Sequence, residues 1–445
     1  MSDFSNRKLH FIAIGGAGMS GIALVCDQLG AEVTGSDRAE SSYLARLRSA
    51  GLEPRIGHDA DAVPADADVV VSTAIGDDNP ELAIARSRGQ RIIHRGELLA
   101  ELCAAKRLIA VAGTHGKTTT AGMIVHALRA AGADPAFFLG GELPTDAGPV
   151  NAGWGDGEWV VAEADESDAS FLKMQPEVAA VTNVELDHHA RWGSRAELLD
   201  AFRRFAEPAA GLALLDEPAL DPIVAGQGVL RFGSWAMPPH ARRQEDGWHP
   251  KPEPKLQVPG RHNRLNAEAA LAAIELGGLD SAAASAALAS FPGMLRRLER
   301  KGTWDGAEVY DDYAHHPTEV SAALEALREL EPRRLVAIFQ PHLYSRTKAL
   351  AGRFGAALAE ADAIGVLDVY PAREKPVGPL EGVSGMSVAA AAADHAGGRP
   401  VWWLRDLDTA TRVLQRNLRE GDLLVTLGAG DVFRVADELV GAHDD

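Results

Sequence analysis

Cysteine is scarce. Only Cys26 and Cys103 occur in 445 residues, so neither a disulfide framework nor a cysteine metal cluster is available. Free thiols in a reducing compartment are the expected state. Positive charge is also short: 44 Lys plus Arg face 63 Asp plus Glu, a formal net charge of −19. That argues against a general nucleic-acid or anionic-membrane binder, which needs a basic face. Small anionic ligands stay open, because a local cationic pocket outweighs a distant negative surface once salt screens it. No apolar run approaches the roughly 20 residues of a membrane span. The opening MSDFSNRKLHFIAIGGAG breaks at glycines and lacks a cleavage-type ending, so it predicts a strand and not a signal peptide. A cytoplasmic protein is expected, with no membrane insertion. No convincing short repeat is present.

What is present is an ordinary globular composition, 46% hydrophobic and 24% charged, which excludes wholesale disorder. At roughly 150 residues per domain the length predicts about three domains. Short apolar runs alternate with helical stretches throughout, the pattern of α/β sheets with mainly parallel strands. Strands are predicted at Leu9–Ile14, Ala31–Thr34 and Asp68–Ser72. A second set follows at Leu108–Ala112, Trp159–Ala162 and Val178–Thr182. A third comprises Glu308–Tyr310, Leu335–Phe339, Ala363–Leu367 and Leu423–Leu427. Helices are expected at Ile22–Leu29, Thr119–Ala131 and about Leu265–Leu276. The Pro-rich stretch Met237–Pro259 reads as a loop or connector.

The strongest chemical signal is Gly113-Thr114-His115-Gly116-Lys117-Thr118-Thr119, between a strand and a helix. There backbone N–H groups are placed to surround phosphate oxygens, Lys117 would neutralise β/γ-phosphate charge and the Thr118 hydroxyl would ligate Mg²⁺. Val111 stands where the usual leading glycine would be. The second signal is Gly16-x-Gly18-x-x-Gly21 with Asp37 at the end of the next strand, a dinucleotide-type fingerprint. Alone it leaves NAD, FAD and a UDP-sugar open. The acidic run Glu163-Ala-Asp165-Glu166-Ser167-Asp168 follows an apolar strand, where Mg²⁺ needs oxygen ligands. Asn183-Val-Glu185-Leu-Asp187-His188-His189 ends another strand. Asp311-Asp312-Tyr313-Ala314-His315-His316-Pro317 reads by itself as a capping turn. In Gln340-Pro341-His342-Leu343-Tyr344-Ser345-Arg346-Thr347, Arg346 is able to pair with a carboxylate. Asn263 and Asn266 lead into a helix, suited to a base edge or to an N-cap.

Taken in order, these strings resemble the Mur ligases of peptidoglycan precursor synthesis. The match is carried by HFIAIGGAGMSGIA, VVVSTAI, AVAGTHGKTTT, GGEL, VAEADESDASFLK, VTNVELDH, PGRHNRLNA, DDYAHHPTEV, AIFQPHLYSRT, LDVYPAREKP and LGAGD. The resemblance implies three domains: a Rossmann-like one over residues 1–106, a central P-loop ATPase domain over 107–294, and a C-terminal Rossmann-like α/β domain over 295–445 that closes on ATP and binds the amino acid. It implies a UDP-sugar, and not NAD, at the first glycine cluster. Gly15, Gly16, Ala17, Gly18 and Met19 would approach the diphosphate, and Ser36, Asp37, Ser72, Thr73, Ala74 and Ile75 would line the cleft. It implies ATP at Gly113–Thr119, with His262, Asn263 and Asn266 on the adenine side, Arg297 at a phosphate and Asp311 near the ribose. It implies Mg²⁺, with Mn²⁺ an option, on Thr118, Glu163 and His188. Catalytic roles fall to Lys117, Glu163, His188, Arg297, His342 and Arg346, the last two at the amino-acid end.

The implied activity is ATP-dependent joining of L-alanine to the carboxylate of UDP-N-acetylmuramate through an acyl phosphate, by a monomer or homodimer. Three alternatives stay open at this point. One is the related ligase that adds a recycled tripeptide to the same UDP-sugar. Another is an NAD-dependent oxidoreductase, resting on the first glycine cluster alone. The third is a nucleotide-binding regulatory protein with no catalysis. Two departures from the family pattern are the run His189-Ala190-Arg191-Trp192-Gly193 and the short Met237–Pro259 region, which implies a missing peripheral hairpin.

Overall fold

Three sheets organise the chain in a computed structural model, described over residues 4–186, 191–234, 254–372 and 374–441. The first is built from β1 (Lys8–Ile12), α1 (Ala17–Gln28), β2 (Glu32–Asp37), α2 (Ser42–Ser49), β3 (Arg55–Ile56), β4 (Asp68–Val71), α3 (Pro80–Ser87), β5 (Ile92–His94) and α4 (Arg95–Cys103). Its order is β3-β2-β1-β4-β5, all parallel. Strand order reverses between β1 and β4, so a crevice opens at their carboxyl ends. Gly15–Met19 and Ser72–Ile75 follow those two strands and flank it.

The second sheet contains β6 (Arg107–Ala112), α5 (Lys117–Ala130), β7 (Ala136–Leu143), β8 (Val150–Gly153), β9 (Trp159–Glu163), β10 (Val178–Val181), α6 (Arg195–Ala206), β11 (Gly211–Leu215) and β12 (Gly228–Phe232). The helices α7 (Arg261–Leu276) and α8 (Ser281–Ala287) follow it. The order is β12-β11-β10-β6-β9-β7-β8, with only β8 antiparallel. Strand β6 lies between β9 and β10, so the loop after it meets the acidic and Asn183 loops. Strands such as Leu108–Ala112 are buried and read as continuous apolar runs because both sheet faces are covered.

The third sheet holds β13 (Glu299–Trp304), β14 (Ala307–Asp312), α9 (Pro317–Arg328), β15 (Arg334–Phe339), α10 (Tyr344–Leu358), β16 (Ala363–Leu367), α11 (Gly385–His395), β17 (Val401–Leu404), α12 (Leu407–Asn417), β18 (Asp422–Leu427) and α13 (Phe433–Gly441). Its order is β13-β14-β18-β15-β16-β17, with β13 antiparallel.

Two compact units result: Met1–Leu256 with Leu265–Phe291, and Gln257–Arg264 with Pro292–Asp445. The first two sheets lie in the first unit, and one continuous apolar core draws on both. Cys26 and Cys103 are unpaired and buried there, and burial pushes the Cys26 thiol up to about 12. Among the described residues no helix is long and apolar enough to cross a membrane.

Some element limits differ from the sequence reading. The first helix begins at Ala17, not Ile22. The helix expected from Leu265 begins at Arg261, so His262, Asn263 and Asn266 lie in its first turns. The hairpin β7–β8 is an addition. The stretch from Met237 to Glu253 lies outside the described residues.

Candidate functional site

The loop between β6 and α5 is shaped by two glycines in left-handed conformations, Gly113 at φ +132° and Gly116 at φ +82°. A Cβ at Gly113 would collide with Thr182, and one at Gly116 with the Asn266 amide. Asn266 is therefore packed directly on this loop. The string after β10 staples the loop from outside. Asn183 Oδ1 accepts from His115 N at 3.0 Å, and Asn183 Nδ2 donates to His115 O at 2.9 Å. Thr114 Oγ1 donates to Glu185 O at 3.0 Å and accepts from Glu185 N at 2.9 Å. These fixed amides at a helix start form an anion cradle. His188, like Asp187, His189 and Ala190, lies outside the described residues.

Lys117 points from the first turn of α5 into the acidic run. Its ammonium donates to Glu166 Oε2 at 2.9 Å and to the Gly113 and Thr114 carbonyls at 2.5 and 3.2 Å. Burial alone would lower its pKa, but Glu166, Asp165 and Glu163 outweigh burial and hold it above the ordinary value. Asp165 is pulled the other way: burial opposes its ionisation, yet Lys117 and Arg95 draw it down to about 2. Glu166 is raised, by burial first and then by the neighbouring Asp165 charge. Behind the acidic run, Phe171 packs on Phe202 and Phe205 at centroid distances of 5.3 and 5.2 Å. Each such pair contributes roughly 0.5–1.5 kcal/mol beyond area burial.

Thr118 Oγ1 donates to Glu163 Oε2 at 2.9 Å, and the same oxygen accepts from Gly140 N at 2.8 Å. A hydroxyl and a carboxylate side by side at the cradle are the oxygen donors that a hard dication takes. The donor set fits Mg²⁺.

The first glycine cluster is held by Asp37, whose Oδ2 accepts from Gly15 N at 2.9 Å. Gly16 caps α1 without a side-chain bond, so the first amides of the helix face outward from the strand end. Ser72, Thr73, Ala74 and Ile75 sit at the rim, partly to fully exposed. Ser36 faces the other way. It is buried, donates to Glu81 Oε2 at 2.6 Å and bonds His58 Nδ1 at 2.8 Å. Glu81 also accepts from Asp59 N at 3.1 Å. Burial opposes Glu81's ionisation, but the neighbouring His10 ring and hydrogen bonds from Ser36 and Asp59 hold its pKa below the ordinary value. Such a carboxyl contributes stability above its unfolded pKa that is lost as pH falls through the folded one. Glu81→Gln is therefore expected to reduce stability near neutral pH by roughly 1–3 kcal/mol. It should also flatten the loss of stability below about pH 4.5. Thermal melts across pH check both; parallel acid limbs in the two proteins would refute the assignment.

Arg95 is a site residue that the sequence reading missed. Its guanidinium donates to Asp165 at 3.0 Å and to Asp168 at 2.9 Å, and a Cβ at Gly18 would lie 3.0 Å from its Nη1. Burial would depress its pKa, but the two aspartates raise it. The signal was an arginine opening a helix just after β5, but its partners Asp165 and Asp168 lie 70 and 73 residues further on.

The second unit gathers its own cluster at the carboxyl ends of β14, β15 and β16. His342 stacks on Tyr370 at 5.8 Å, and His315 meets His342 at 6.2 Å. Burial first, with Arg346 and Arg297 opposing a further positive charge, lowers His315 to about 4, so its imidazole is neutral at pH 7. Arg297 lies over the Tyr313 ring at 5.2 Å. Asp311 is buried, and its oxygens accept from Arg296 at 3.0 Å and Thr426 at 2.6 Å. Asp312 accepts from Leu298 N and Ala314 N, and burial raises it to about 6. His316 caps α9 in a capping box with Glu319, as the isolated reading of that turn expected. His262 is lowered to about 4, by burial first. Asn263 Nδ2 donates to Pro259 O at 2.7 Å.

Comparison with known proteins agrees with this layout. Residues 8–107 match the model of the Mur ligase family catalytic domain, 111–222 that of the Mur ligase middle domain, and 296–430 that of the Mur ligase, glutamate ligase domain. The chain is 44% identical to the UDP-N-acetylmuramate–L-alanine ligase of Symbiobacterium thermophilum, covering 98% of this chain and 94% of the relative. It is 46% identical to the enzyme of that name from Kineococcus radiotolerans, over 97% and 95%. The solved UDP-N-acetylmuramate–alanine ligase of Thermotoga maritima superposes with a TM-score of 0.82 at 29% identity, covering 98% and 99%. With a glycine loop at a strand end on each of its first two sheets, and with likeness running almost from end to end, the chain belongs to the Mur ligase family.

Proposed function

We propose that this ligase joins L-alanine to the carboxylate of UDP-N-acetylmuramate, with ATP cleaved to ADP and phosphate. The observation that carries the reading is the pairing within one unit of a phosphate cradle bearing Lys117, Thr118 and Glu163 with a second glycine loop at Gly15–Met19. The names and full-length identity of the relatives support the same substrates. We read residues 1–106, 107–294 and 295–445 as the UDP-sugar, ATP and amino-acid domains, of a cytoplasmic enzyme of peptidoglycan precursor synthesis.

A carboxylate is a poor electrophile and its oxide is a poor leaving group. Transfer of the γ-phosphoryl group to it gives an acyl phosphate and solves both problems. The two reactants are anions, and unit charges 4 Å apart repel by about 4 kcal/mol at an effective dielectric of about 20. That corresponds to about three powers of ten in rate. Lys117 and Arg297 offset the repulsion in this reading. Thr118, Glu163 and His188 would hold Mg²⁺, which supplies further charge neutralisation when bound. The amine of L-alanine then attacks the acyl carbon, and phosphate leaves. The amine must arrive neutral, and His342, beside the neutral His315, is the proposed proton acceptor, with Arg346 pairing the amino-acid carboxylate.

The test is ADP release with a panel of amines, with and without UDP-N-acetylmuramate. Release that needs both the UDP-sugar and L-alanine is expected. Preference for the L-alanyl tripeptide would instead mark the recycling ligase, and a nicotinamide absorbance change without ADP release would mark an oxidoreductase.

A further inference from the structure

The glycine loop at the start of α1 is held by side chains from the other sheet of its unit. Asn151, in β8, is 2% exposed. Its Nδ2 donates to the carbonyl of Ala17 at 2.8 Å and to Ser20 Oγ at 3.3 Å. Its Oδ1 accepts from Arg46 Nη1 at 2.6 Å. Since a guanidinium only donates, this contact fixes the amide's orientation. Arg46, in α2, also pairs through Nη2 with Glu142 in β7. The fit is close, because a Cβ on Gly21 would lie 2.9 Å from that of Ala152.

Strand β7 carries this contact to the other loop. Two residues before Glu142, Gly140 N donates to Glu163. A Cβ at Gly141, between them, would lie 3.0 Å from Thr118 Cγ2. One short strand thus touches both the Arg46–Asn151 pair and the Thr118–Glu163 pair. Phosphoryl transfer demands that the carboxylate of the sugar and the γ-phosphate meet within a few tenths of an ångström of the productive geometry. The sugar is anchored by its diphosphate, at the far end from that carboxylate, so a small rotation of the first turn of α1 is magnified at the reacting atoms.

We propose that Glu142, Arg46 and Asn151 form a strut that registers the UDP-sugar loop against the phosphoryl-transfer centre, with Asn151 as its positioning residue. This rests on the function read above. The strut touches no substrate; it sets where the Ala17–Met19 amides point.

The test uses the full-length chain and Asn151→Asp, which keeps an acceptor for Arg46 but puts an acceptor against the Ala17 carbonyl. Binding of UDP-N-acetylmuramate without nucleotide, measured by calorimetry, is expected to weaken by about tenfold or more. ADP affinity should stay within about twofold of the parent. Under turnover the ratio of ADP released to amide formed should rise above one, as a misaligned acyl phosphate is lost to water. A general loss of stability would not move that ratio. Arg46→Met, which keeps the aliphatic stem, should shift the same quantities in the same direction and serves if Asn151→Asp folds poorly. Unchanged UDP-sugar affinity and a one-to-one ratio in either folded variant would overturn the strut. A parent chain that binds no UDP-N-acetylmuramate would overturn the functional reading, and the strut with it.

Discussion

Lys117→Ala should lower turnover by about a thousandfold or more while leaving UDP-N-acetylmuramate binding intact. The size of the effect follows from how the ammonium is kept. It is 13% exposed, faces Glu166 and two loop carbonyls, and stays protonated because three carboxylates outweigh its burial. Truncation removes the one positive charge that α5 brings to the cradle. It also leaves Glu166 buried beside Asp165, which favours a protonated Glu166. Nothing in the hold on the UDP-sugar loop depends on it, because Gly15 rests on Asp37 and Ala17 on Asn151. Steady-state kinetics with calorimetric titration of the UDP-sugar separates the two. Near-normal turnover would remove this loop from the reaction.

The same residues mark what a linear reading is able to see. The cradle was legible because its signals are local: an apolar strand, two glycines, a lysine and a helix within about a dozen positions. Its counter-ion was not, since Glu166 lies 49 residues further on and nothing nearby singles it out from the other acids in its run. The family resemblance placed Ser36, near the end of β2, among the cleft residues. Its hydroxyl faces His58 and Glu81, 22 and 45 residues away, a choice made by side-chain direction at the end of a buried strand. Helix α1 was placed five residues late because glycines discount helix formation. Packing reverses that preference here, as Gly18 and Gly21 leave room for Arg95 and Ala152. The β7–β8 hairpin escaped notice because GGELPTDAGPVNAG is punctuated by Gly and Pro. With it went the strut, whose contacts span 96 to 134 residues. By contrast, His316 as a helix cap was readable, since Pro317 and Glu319 stand beside it.

Glu163→Gln should lower turnover by roughly a hundredfold or more and raise the Mg²⁺ concentration needed for half-maximal rate. The side chain keeps its shape, so the fold should survive. An amide oxygen in the place of Oε2 would still accept from both Gly140 N and Thr118 Oγ1, with the new NH2 in the place of Oε1. What is lost is one negative charge from the oxygen set that faces the cradle, and a hard dication binds a neutral amide oxygen less tightly than a carboxylate. A second change separates charge from position. A Cβ at Gly140 would sit 2.5 Å from Glu163 Oε2, so Gly140→Ala displaces the carboxylate without removing it. If Glu163 is a ligand, both variants shift the Mg²⁺ dependence of the rate, and neither alters UDP-sugar affinity measured without metal. A Mg²⁺ titration that superimposes on the parent's in both variants would assign Glu163 a purely structural part, holding Thr118 and the β7 backbone together.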